Sequence, residues 1–371
     1  MKIALVHDWL TGMRGGEFVL EALCGIFPQA DIYTLLHIPG AVSPAIEGHR
    51  ITTSFIQRLP EVERRYRWYL PLMPAAIESF RLEGYDLVIS SSHCVAKGVR
   101  PGGAPHLCYC HTPMRYAWDM YHHYFNRQRM GRAPLFAIER IMPLMRKWDL
   151  ATTERVDSFV ANSAYVAGRI KRIYRRDADV IHPPVDVEYY SHGPAQARGD
   201  HYLMVSAFAP YKRIDLALEA FGRMGKRLIV AGGGEDDKRL RSGAGPNITF
   251  LGPVSQEKLR ELYKSAAAFI FPGEEDFGIT PVEAMAAGAP VIAYGAGGAL
   301  ETVAGLDSDK PTGLFFKEQT VEGLVSAVEE FEKRRGDLRP ENMVERAANF
   351  SREIFRERMA AHVAKFVAHG L

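Results

Sequence analysis

The sequence predicts an α/β protein made of two Rossmann-like, doubly wound domains that face each other across a cleft. A chain of 371 residues is long for one hydrophobic core and suits two domains of ordinary size. Short apolar runs alternate with longer stretches of helical period, which indicates βα units around parallel sheets. Between residues 183 and 200 the chain is rich in proline and glycine and has little apolar periodicity, so we place the domain boundary there.

The predicted elements follow the same pattern in both halves. Apolar runs predict strands at 3–7, 32–36, 87–90, 106–109, 158–161, 202–206, 227–231, 248–251, 268–271 and 291–294. Helical periodicity predicts helices at 16–26, 137–153, 214–223, 256–266, 281–287 and 321–333. Ser351 suits the N-cap of a last helix. The predicted domains are therefore 1–187 and 200–348, with a helix in 349–371 that packs back on the first domain.

The composition is that of a soluble globular protein, because 47% of the residues are hydrophobic and 24% are charged. No apolar run approaches the ~18 residues that a membrane-spanning helix needs. The first residues enter a strand at once, which does not fit a signal peptide. The four cysteines lack C-x-x-C spacing and lie in apolar segments, which favours reduced thiols in a cytoplasmic protein. A metal site at Cys108, Cys110 and His111 is disfavoured because no fourth ligand is nearby.

Charge is unevenly distributed along the chain, although the net charge is only +2. Residues 1–185 contain 23 Lys and Arg against 17 Asp and Glu, whereas the remainder contains 23 against 27. A basic first half beside an acidic second half predicts a different partner for each half. Ordinary variation of a solvated surface is the alternative interpretation.

The segment 273–288 carries the strongest functional signal in the sequence. Thr280 can cap the helix that follows it, and the amides around Gly278 would then point outward as a phosphate site. Glu283 has a competing explanation, because Thr280-x-x-Glu283 matches a capping box in which the carboxylate bonds back to the Thr280 amide. The capping box leaves the run of carboxylates at 274–276 unexplained.

Three further segments contain residues that suit a polar site. Lys212 and Arg213 lie between a strand and a helix, where a cation would balance a diphosphate, although a basic pair is also typical of a solvated surface. Gly15 and Gly16 form a glycine turn at a helix N-terminus, which suits an anion or a substrate. This turn lacks the G-x-G-x-x-G spacing of nicotinamide-binding proteins. His111 ends a strand, where a catalytic and a structural role are both open.

Taken together, these segments resemble family 4 of the retaining glycosyltransferases, which have the two-domain GT-B fold. The resemblance covers nearly the whole chain. Its most specific part is the pair Glu275 and Glu283, with seven residues between them. The surrounding sequence, from Phe271 to Tyr294, is most similar to bacterial mannosyltransferases that build surface polysaccharides.

The resemblance implies how the second half would bind a nucleotide-sugar donor. It places Glu283 on the donor ribose, Glu275 near the sugar hydroxyls and Val254 beside the nucleobase. The amides of Gly278, Ile279 and Thr280 would hold the donor diphosphate, and Phe277 beside them would also take part in donor binding.

The resemblance also implies roles around the leaving group and the transferred sugar. Lys212 would neutralise the diphosphate, His111 would contact the sugar, and Gly15–Gly16 would line the donor phosphate and the acceptor side. Family members often carry an arginine five positions before the lysine, where this chain has Ala207. Either Arg213 or another basic group then replaces that arginine, or the leaving group is stabilised in a different way.

The mechanism that the resemblance implies is transfer with retention of configuration, without a metal ion or other cofactor. Charge would develop on the departing diphosphate, where amides and a cation can stabilise it. Attack on the same face within an ion pair is favoured over a covalent intermediate, because no carboxylate nucleophile is identifiable in the sequence.

The acceptor side is predicted from aromatic and basic residues that interleave at 63–70 and 121–149. This pattern predicts peripheral binding to an anionic membrane, with a polyprenyl-linked saccharide as acceptor on the cytoplasmic face of the inner membrane. The alternative is that the aromatic residues lie in the core and the arginines are merely solvated. Nucleic acid is disfavoured because no recognised nucleic-acid motif accompanies the pattern.

The favoured function is transfer of a hexose, mannose from GDP-mannose, onto a saccharide in surface-polysaccharide biosynthesis. UDP-glucose, UDP-galactose and UDP-N-acetylglucosamine stay open as donors. A sugar-nucleotide epimerase of the same fold is the nearest alternative, and it would modify its sugar without an acceptor. A non-enzymatic carbohydrate-binding protein is a third.

Overall fold

The computed structural model describes residues 1–125, 131–193, 198–234 and 236–370. Residues 126–130 of the predicted basic stretch and 194–197 of the predicted boundary lie outside the described residues. The chain divides into two compact units, the first formed by Met1–Pro184 with Phe355–Leu371 and the second by Val185–Ile354.

The first unit is built on a parallel sheet of seven strands in the order β3-β2-β1-β4-β5-β6-β7. Its strands are β1 Ile3–His7, β2 Asp31–Thr34, β3 Ile51–Thr53, β4 Leu87–Ser92, β5 His106–Cys110, β6 Ser158–Ala161 and β7 Asp179–Val180. Strands β1, β4 and β5 are buried at every position, because helices cover both faces of the sheet. The chain leaves β1 toward one edge and returns through β4 to the other, so the two strands mark a topological switch point.

The helices of the first unit pack on both faces of this sheet in two large apolar clusters and a smaller third one, which contains α7. They are α1 Gly15–Ile26, α2 Pro44–Glu47, α3 Val62–Arg65, α4 Met73–Glu78, α5 Tyr121–Tyr124, α6 Arg132–Ala151 and α7 Ala164–Tyr174. Short 3₁₀ helices lie at Phe55–Arg58, Tyr66–Leu72, Ala96–Gly98 and Thr152–Arg155. The four cysteines are buried free thiols in this unit, as the sequence predicts.

The second unit has a six-stranded parallel sheet in the order β10-β9-β8-β11-β12-β13. Its strands are β8 Tyr202–Ala207, β9 Leu228–Gly233, β10 Ile248–Gly252, β11 Phe269–Phe271, β12 Val291–Tyr294 and β13 Gly313–Phe316. The helices are α8 Val187–Ser191, α9 Ile214–Met224, α10 Asp237–Ser242, α11 Gln256–Ser265, α12 Ile279–Ala286, α13 Ala299–Thr302, α14 Val321–Arg334 and α15 Pro340–Ala348, with 3₁₀ turns at Pro210–Lys212 and Arg335–Asp337. Here β8 and β11 mark the switch point.

The last helix, α16 Arg352–Gly370, begins in the second unit and ends in the first. The Ile354 amide donates to Ser351 Oγ at 3.2 Å, so Ser351 caps the helix as the sequence predicts. Phe355 and Met359 are buried in the core of the first unit. The boundary at 187 needs a small correction, because Val185 and Val187 belong to the core of the second unit.

Candidate functional site

Lys212 and Glu275 meet at the switch point of the second unit. Lys212 follows β8 and Glu275 follows β11, so both lie beyond the carboxyl ends of the two strands where the sheet order reverses. Their side chains form an ion pair and are only 15% and 16% exposed. The structure therefore joins two residues that are 63 positions apart in the sequence and that the family resemblance links to the same ligand.

Glycines allow these two loops to approach each other. A Cβ atom on Gly273 would lie 2.8 Å from Tyr211 O and 3.0 Å from the Lys212 Cα. A Cβ on Gly298 would lie 2.3 Å from the Phe277 Cα, and the Gly298 amide donates to Glu275 O at 2.8 Å. Because these contacts are shorter than side chains tolerate, glycine fixes the backbone path around Glu275.

Helix α12 begins closer to this ion pair than the sequence predicts. Its N-cap is Gly278, with φ of +87°, and its first residue is Ile279. The predicted cap at Thr280 is wrong, because Thr280 already lies inside the helix. The first-turn amides of a helix lack helical acceptors and favour an anion. The anion-binding end of α12 thus starts shortly after the loop that carries Glu275.

Glu283 does not complete a capping box, because its partner is on another helix. Tyr263 Oη of α11 donates to Glu283 Oε2 at 2.9 Å. Burial raises the pKa of Glu283 to about 7, and nearby Asp186 adds to the rise, whereas the hydroxyls of Tyr263 and Tyr190 oppose it. The capping interpretation is therefore wrong, and the pKa of this carboxyl group is raised by its burial.

The other predicted residues of the second unit differ in what their side chains can reach. Arg213 donates to Gln319 Oε1 at 3.0 Å and lies 3.4 Å from Asp215 Oδ1, so its guanidinium is held by these two side chains. Ala207 is exposed at the end of β8. Val254 is partly buried against the core. The buried ring of Phe277 packs on Phe350, with 5.4 Å between centroids, so only its backbone can face a ligand.

His111 belongs to a cluster at the switch point of the first unit. Ser91 Oγ, near the end of β4, lies 2.8 Å from His111 Nε2 and 3.1 Å from His7 Nδ1. A Cβ on Gly16 would lie 3.3 Å from His7 Cε1 and 3.7 Å from His111 Nε2. The glycine turn at Gly15–Gly16, which begins α1, therefore packs directly on the two imidazoles.

Asp8 fixes the loop that follows β4. Its buried carboxylate accepts four backbone N–H bonds of 2.7 to 2.9 Å, from the consecutive residues His93, Cys94, Val95 and Ala96. His93 Nδ1 also lies 3.1 Å from Asp8 Oδ2.

Asp8, His93, His7 and Ser91 are functional candidates that motif reasoning from the sequence does not identify. The signal that could find them is positional, because polar side chains end the two strands that form the switch point. Using that signal requires the strand order, which the structure supplies.

Electrostatics keep the imidazole of His111 neutral. Burial lowers the pKa of His111 well below its ordinary value, and the neighbouring His93, His7 and Arg115 further disfavour a positive charge on its ring. Burial alone would raise the pKa of Glu17, but the interactions of its carboxylate with His7 and His93 outweigh burial, so the pKa of Glu17 lies below its ordinary value. This site therefore combines neutral histidine with an ionised carboxylate.

Two absences hold for the part of the chain that the structure describes. Within those residues, no group of three or more His, Cys, Asp and Glu side chains has the arrangement of a metal site. Over the same residues, no helix combines the length and hydropathy that crossing a membrane requires. The two sets of predicted residues lie on separate units. The predicted active site between the domains therefore stays a prediction.

Each half of the chain matches a glycosyltransferase family model. Residues 13–189 match the model described as "Glycosyltransferase Family 4", and residues 195–350 match "Glycosyl transferases group 1". Together with the two parallel α/β sheets, these matches fit the GT-B fold of two Rossmann-like domains.

Curated relatives are distant and longer than the matched regions. The chain is 30% identical to a D-inositol 3-phosphate glycosyltransferase of Mycobacteroides abscessus over 222 residues, which cover 53% of the chain and 49% of that protein. It is 26% identical to human alpha-1,3/1,6-mannosyltransferase ALG2 over 279 residues, covering 65% of the chain and 64% of that protein. The chain thus spans about half the length of the first of these relatives and under two thirds of the second.

Solved structures show the same fold at low sequence identity. HepE of Anabaena in complex with UDP superposes with a TM-score of 0.72 at 16% identity, over 98% of this chain and 100% of HepE. Sucrose-phosphate synthase of Thermosynechococcus elongatus superposes with a TM-score of 0.72 at 20% identity, over the full length of both chains. At these identities the likeness establishes the fold alone.

Proposed function

We propose that this protein is a retaining, metal-independent hexosyltransferase that uses a nucleotide-sugar donor. The observation that carries the proposal is the Lys212–Glu275 ion pair at a switch point, shortly before the amide-rich start of α12. A departing nucleoside diphosphate needs its developing negative charge stabilised, and a cation beside a helix N-terminus supplies that stabilisation. The family matches on both halves of the chain support the same class of reaction.

The predicted site residues of the second unit have proposed roles in donor binding. The backbone from Gly278 to Thr280 binds the diphosphate, with Lys212 as its counter-ion. Glu283 accepts hydrogen bonds from the ribose hydroxyls, and Val254 borders the base. Arg213 is engaged by Gln319 and Asp215, so it replaces the missing arginine at Ala207 only if a donor draws it away. In the first unit, His111 contacts the transferred sugar and Gly15–Gly16 lines the acceptor side.

The proposed reaction leaves the configuration of the anomeric carbon unchanged. The sugar–diphosphate bond breaks first, the sugar becomes oxocarbenium-like, and the acceptor hydroxyl attacks from the face that the diphosphate leaves. Its proton passes to the leaving diphosphate. Lys212 and the α12 amides stabilise the negative charge on the diphosphate more in the transition state than in the bound donor. That difference accelerates the reaction.

The proposed donor is GDP-mannose, and the proposed acceptor is a polyprenyl-linked saccharide in polysaccharide biosynthesis at a membrane surface. Relatedness to a mannosyltransferase supports the sugar. Exposed apolar side chains beside arginines support membrane binding: Trp68 is 74% exposed, with the guanidinium of Arg65 5.0 Å from its ring, and Phe136 is likewise exposed beside Arg140.

The proposal is tested by incubating the protein with GDP-mannose, UDP-glucose, UDP-galactose or UDP-N-acetylglucosamine, with and without saccharide acceptors. We expect release of GDP that depends on the acceptor, and a product with the anomeric configuration of the donor. Release of UDP alone would overturn the donor assignment. Conversion of the donor sugar without any acceptor would favour an epimerase, and binding without conversion would favour a carbohydrate-binding protein.

A further inference from the structure

Four polar side chains lie in a row at the switch point of the first unit. Ser91 Oγ contacts His7 Nδ1 and His111 Nε2, as described above. His7 is fully buried, and its other ring nitrogen, Nε2, lies 3.9 Å from Glu17 Oε1 with no hydrogen-bond partner in the described chain. We name Glu17, His7, Ser91 and His111 the serine relay.

The number of protons restricts the states of the serine relay. The Ser91 hydroxyl has a single proton, so it can donate to only one of the two imidazoles that it contacts. When the hydroxyl proton is donated to one imidazole, the other imidazole contacts Ser91 Oγ as the donor of an N–H. Either His7 accepts and His111 donates, or His7 donates and His111 accepts. The tautomer of His111 is thus tied to that of His7.

Glu17 determines which of these two hydrogen-bonding states is favoured. Its carboxylate is 3% exposed and accepts a hydrogen bond of 3.1 Å from the Arg14 amide, which holds it against His7. An ionised carboxylate that faces Nε2 of His7 favours the proton on that nitrogen. His7 Nδ1 is then the acceptor of the Ser91 hydroxyl, and Ser91 Oγ accepts from Nε2–H of His111.

We propose that Glu17, His7 and Ser91 are positioning residues that hold His111 as the Nε2–H tautomer and present its Nδ1 as an acceptor to a hydroxyl of the transferred sugar. Nδ1 of His111 has no protein hydrogen-bond partner among the described residues, and the side chain is partly exposed. The sugar contact rests on the proposed function, whereas the tautomer does not.

The surroundings of His111 keep its Nδ1 lone pair available. The Tyr109 ring packs 5.2 Å from the imidazole and the His93 ring 6.2 Å from it, centroid to centroid. His93 is in turn paired with the buried carboxylate of Asp8, and Arg115 adds a positive charge. A neutral imidazole in this setting donates its Nε2–H to Ser91 and accepts through Nδ1. It therefore binds a sugar hydroxyl that donates its proton to Nδ1.

The inference is tested by nuclear magnetic resonance on protein labelled with ¹⁵N-histidine, because the two ring nitrogens of each tautomer have distinct shifts. We expect His111 as a neutral Nε2–H imidazole between about pH 6 and 8, since its pKa lies well below the ordinary value. Ser91→Ala should mix its two tautomers and lower kcat/KM by about tenfold, the effect of one lost hydrogen bond. Glu17→Gln should shift both His7 and His111 toward their Nδ1–H forms, which a merely structural role of Glu17 would not do.

Ser90→Ala is the matched control, because Ser90 Oγ on the same strand makes an equivalent buried contact of 2.8 Å with His106 Nε2. It should leave the His111 signals and the rate unchanged, and melting temperatures report whether each variant folds. An Nδ1–H His111 in the wild type, or unchanged His111 signals in Ser91→Ala, would overturn the inference. The expected tautomer in a protein that transfers no sugar would instead refute the proposed function and leave the relay standing.

Discussion

Lys212 and Glu275 form an ion pair that is largely shielded from solvent. Two opposite charges at low exposure stabilise each other, and removing one of them leaves the other unpaired, which destabilises the protein. A nucleoside diphosphate carries more negative charge than one carboxylate, so it competes with Glu275 for the ammonium group. We infer that the pair holds Lys212 in place until a donor binds.

Replacing Lys212 tests whether its ammonium group stabilises the donor diphosphate. Lys212→Gln should lower kcat by about 100- to 1,000-fold, because a preorganised partner of the developing charge is lost. Steady-state kinetics with saturating donor measures the effect. Lys226→Gln is the control, since Lys226 pairs with Glu332 at 2.7 Å in the same unit but on the surface. Equal losses in both variants would contradict a specific role for Lys212.

Glu283 gives a second prediction, on the pH dependence of stability. Its folded pKa is raised to about 7 from 4.5, so folding favours the protonated form, and this contribution to stability is lost as pH rises from 4.5 through 7. The loss amounts to about 3 kcal/mol at most. Glu283→Gln should therefore gain melting temperature relative to the wild type as pH rises from about 5 to 8. A variant equally destabilised at both pH values would contradict a raised pKa of Glu283 in the folded protein.

The sequence identifies Lys212, Glu275 and Glu283 because their motif is local, but it cannot show their partners. Tyr263 reaches Glu283 from another helix, and for this reason the Thr280-x-x-Glu283 pattern imitates a capping box that the structure does not contain. Ser91 contacts His7 and His111 only because β1, β4 and β5 are neighbours in the sheet. Strand order is a tertiary property that apolar periodicity does not contain.

At the scale of elements, the start of α12 depends on Gly278. Its φ of +87° is unfavourable for other residues, and a Cβ would lie 3.0 Å from the ring of Phe271. Gly278→Ala should therefore lower the free energy of unfolding by more than the ~1 to 2 kcal/mol of the backbone conformation alone. Chemical denaturation measures the change.

Gly225→Ala is the control for this substitution. Gly225 also has a positive φ, of +66°, but nothing lies within 4 Å of the position that an alanine methyl group would take. The control should therefore show the backbone cost without a clash. Equal losses of stability in the two variants would show that the Phe271 contact is irrelevant.

The central strands are predictable from the sequence, whereas most of the edge strands are not. The predicted bounds of β1 and β12 match the observed ones, since burial on both faces gives continuous apolar runs. The strands that apolar periodicity does not predict are β3, β7 and β13, which are three of the four edge strands; the fourth, β10, is predicted at 248–251. The Ile-Thr-Thr of β3 and the Asp-Val of β7 become strands because a neighbour pairs with them, and such pairing leaves little trace in local sequence.

At the scale of the whole molecule, each unit presents polar side chains at the switch point of its own sheet. We expect the first unit to bind the membrane. Trp68→Ala/Leu144→Ala, which removes side chains 74% and 69% exposed, should reduce co-sedimentation with anionic vesicles. Leu300→Ala, which removes a leucine 56% exposed in the second unit, is the control and should bind as the wild type. Equal binding of the wild type to neutral and anionic vesicles would contradict membrane recognition by charge.

The central claim is that the second unit binds a nucleoside diphosphate through Lys212, the first turn of α12 and Glu283. Calorimetric titration of GDP and UDP into the wild type, Lys212→Gln and Lys226→Gln tests it most directly. We expect GDP to bind the wild type and Lys226→Gln alike, and Lys212→Gln at least about tenfold more weakly, the equivalent of ~1.4 kcal/mol. Binding of neither nucleotide to the wild type, or equal affinity in Lys212→Gln, would contradict the account.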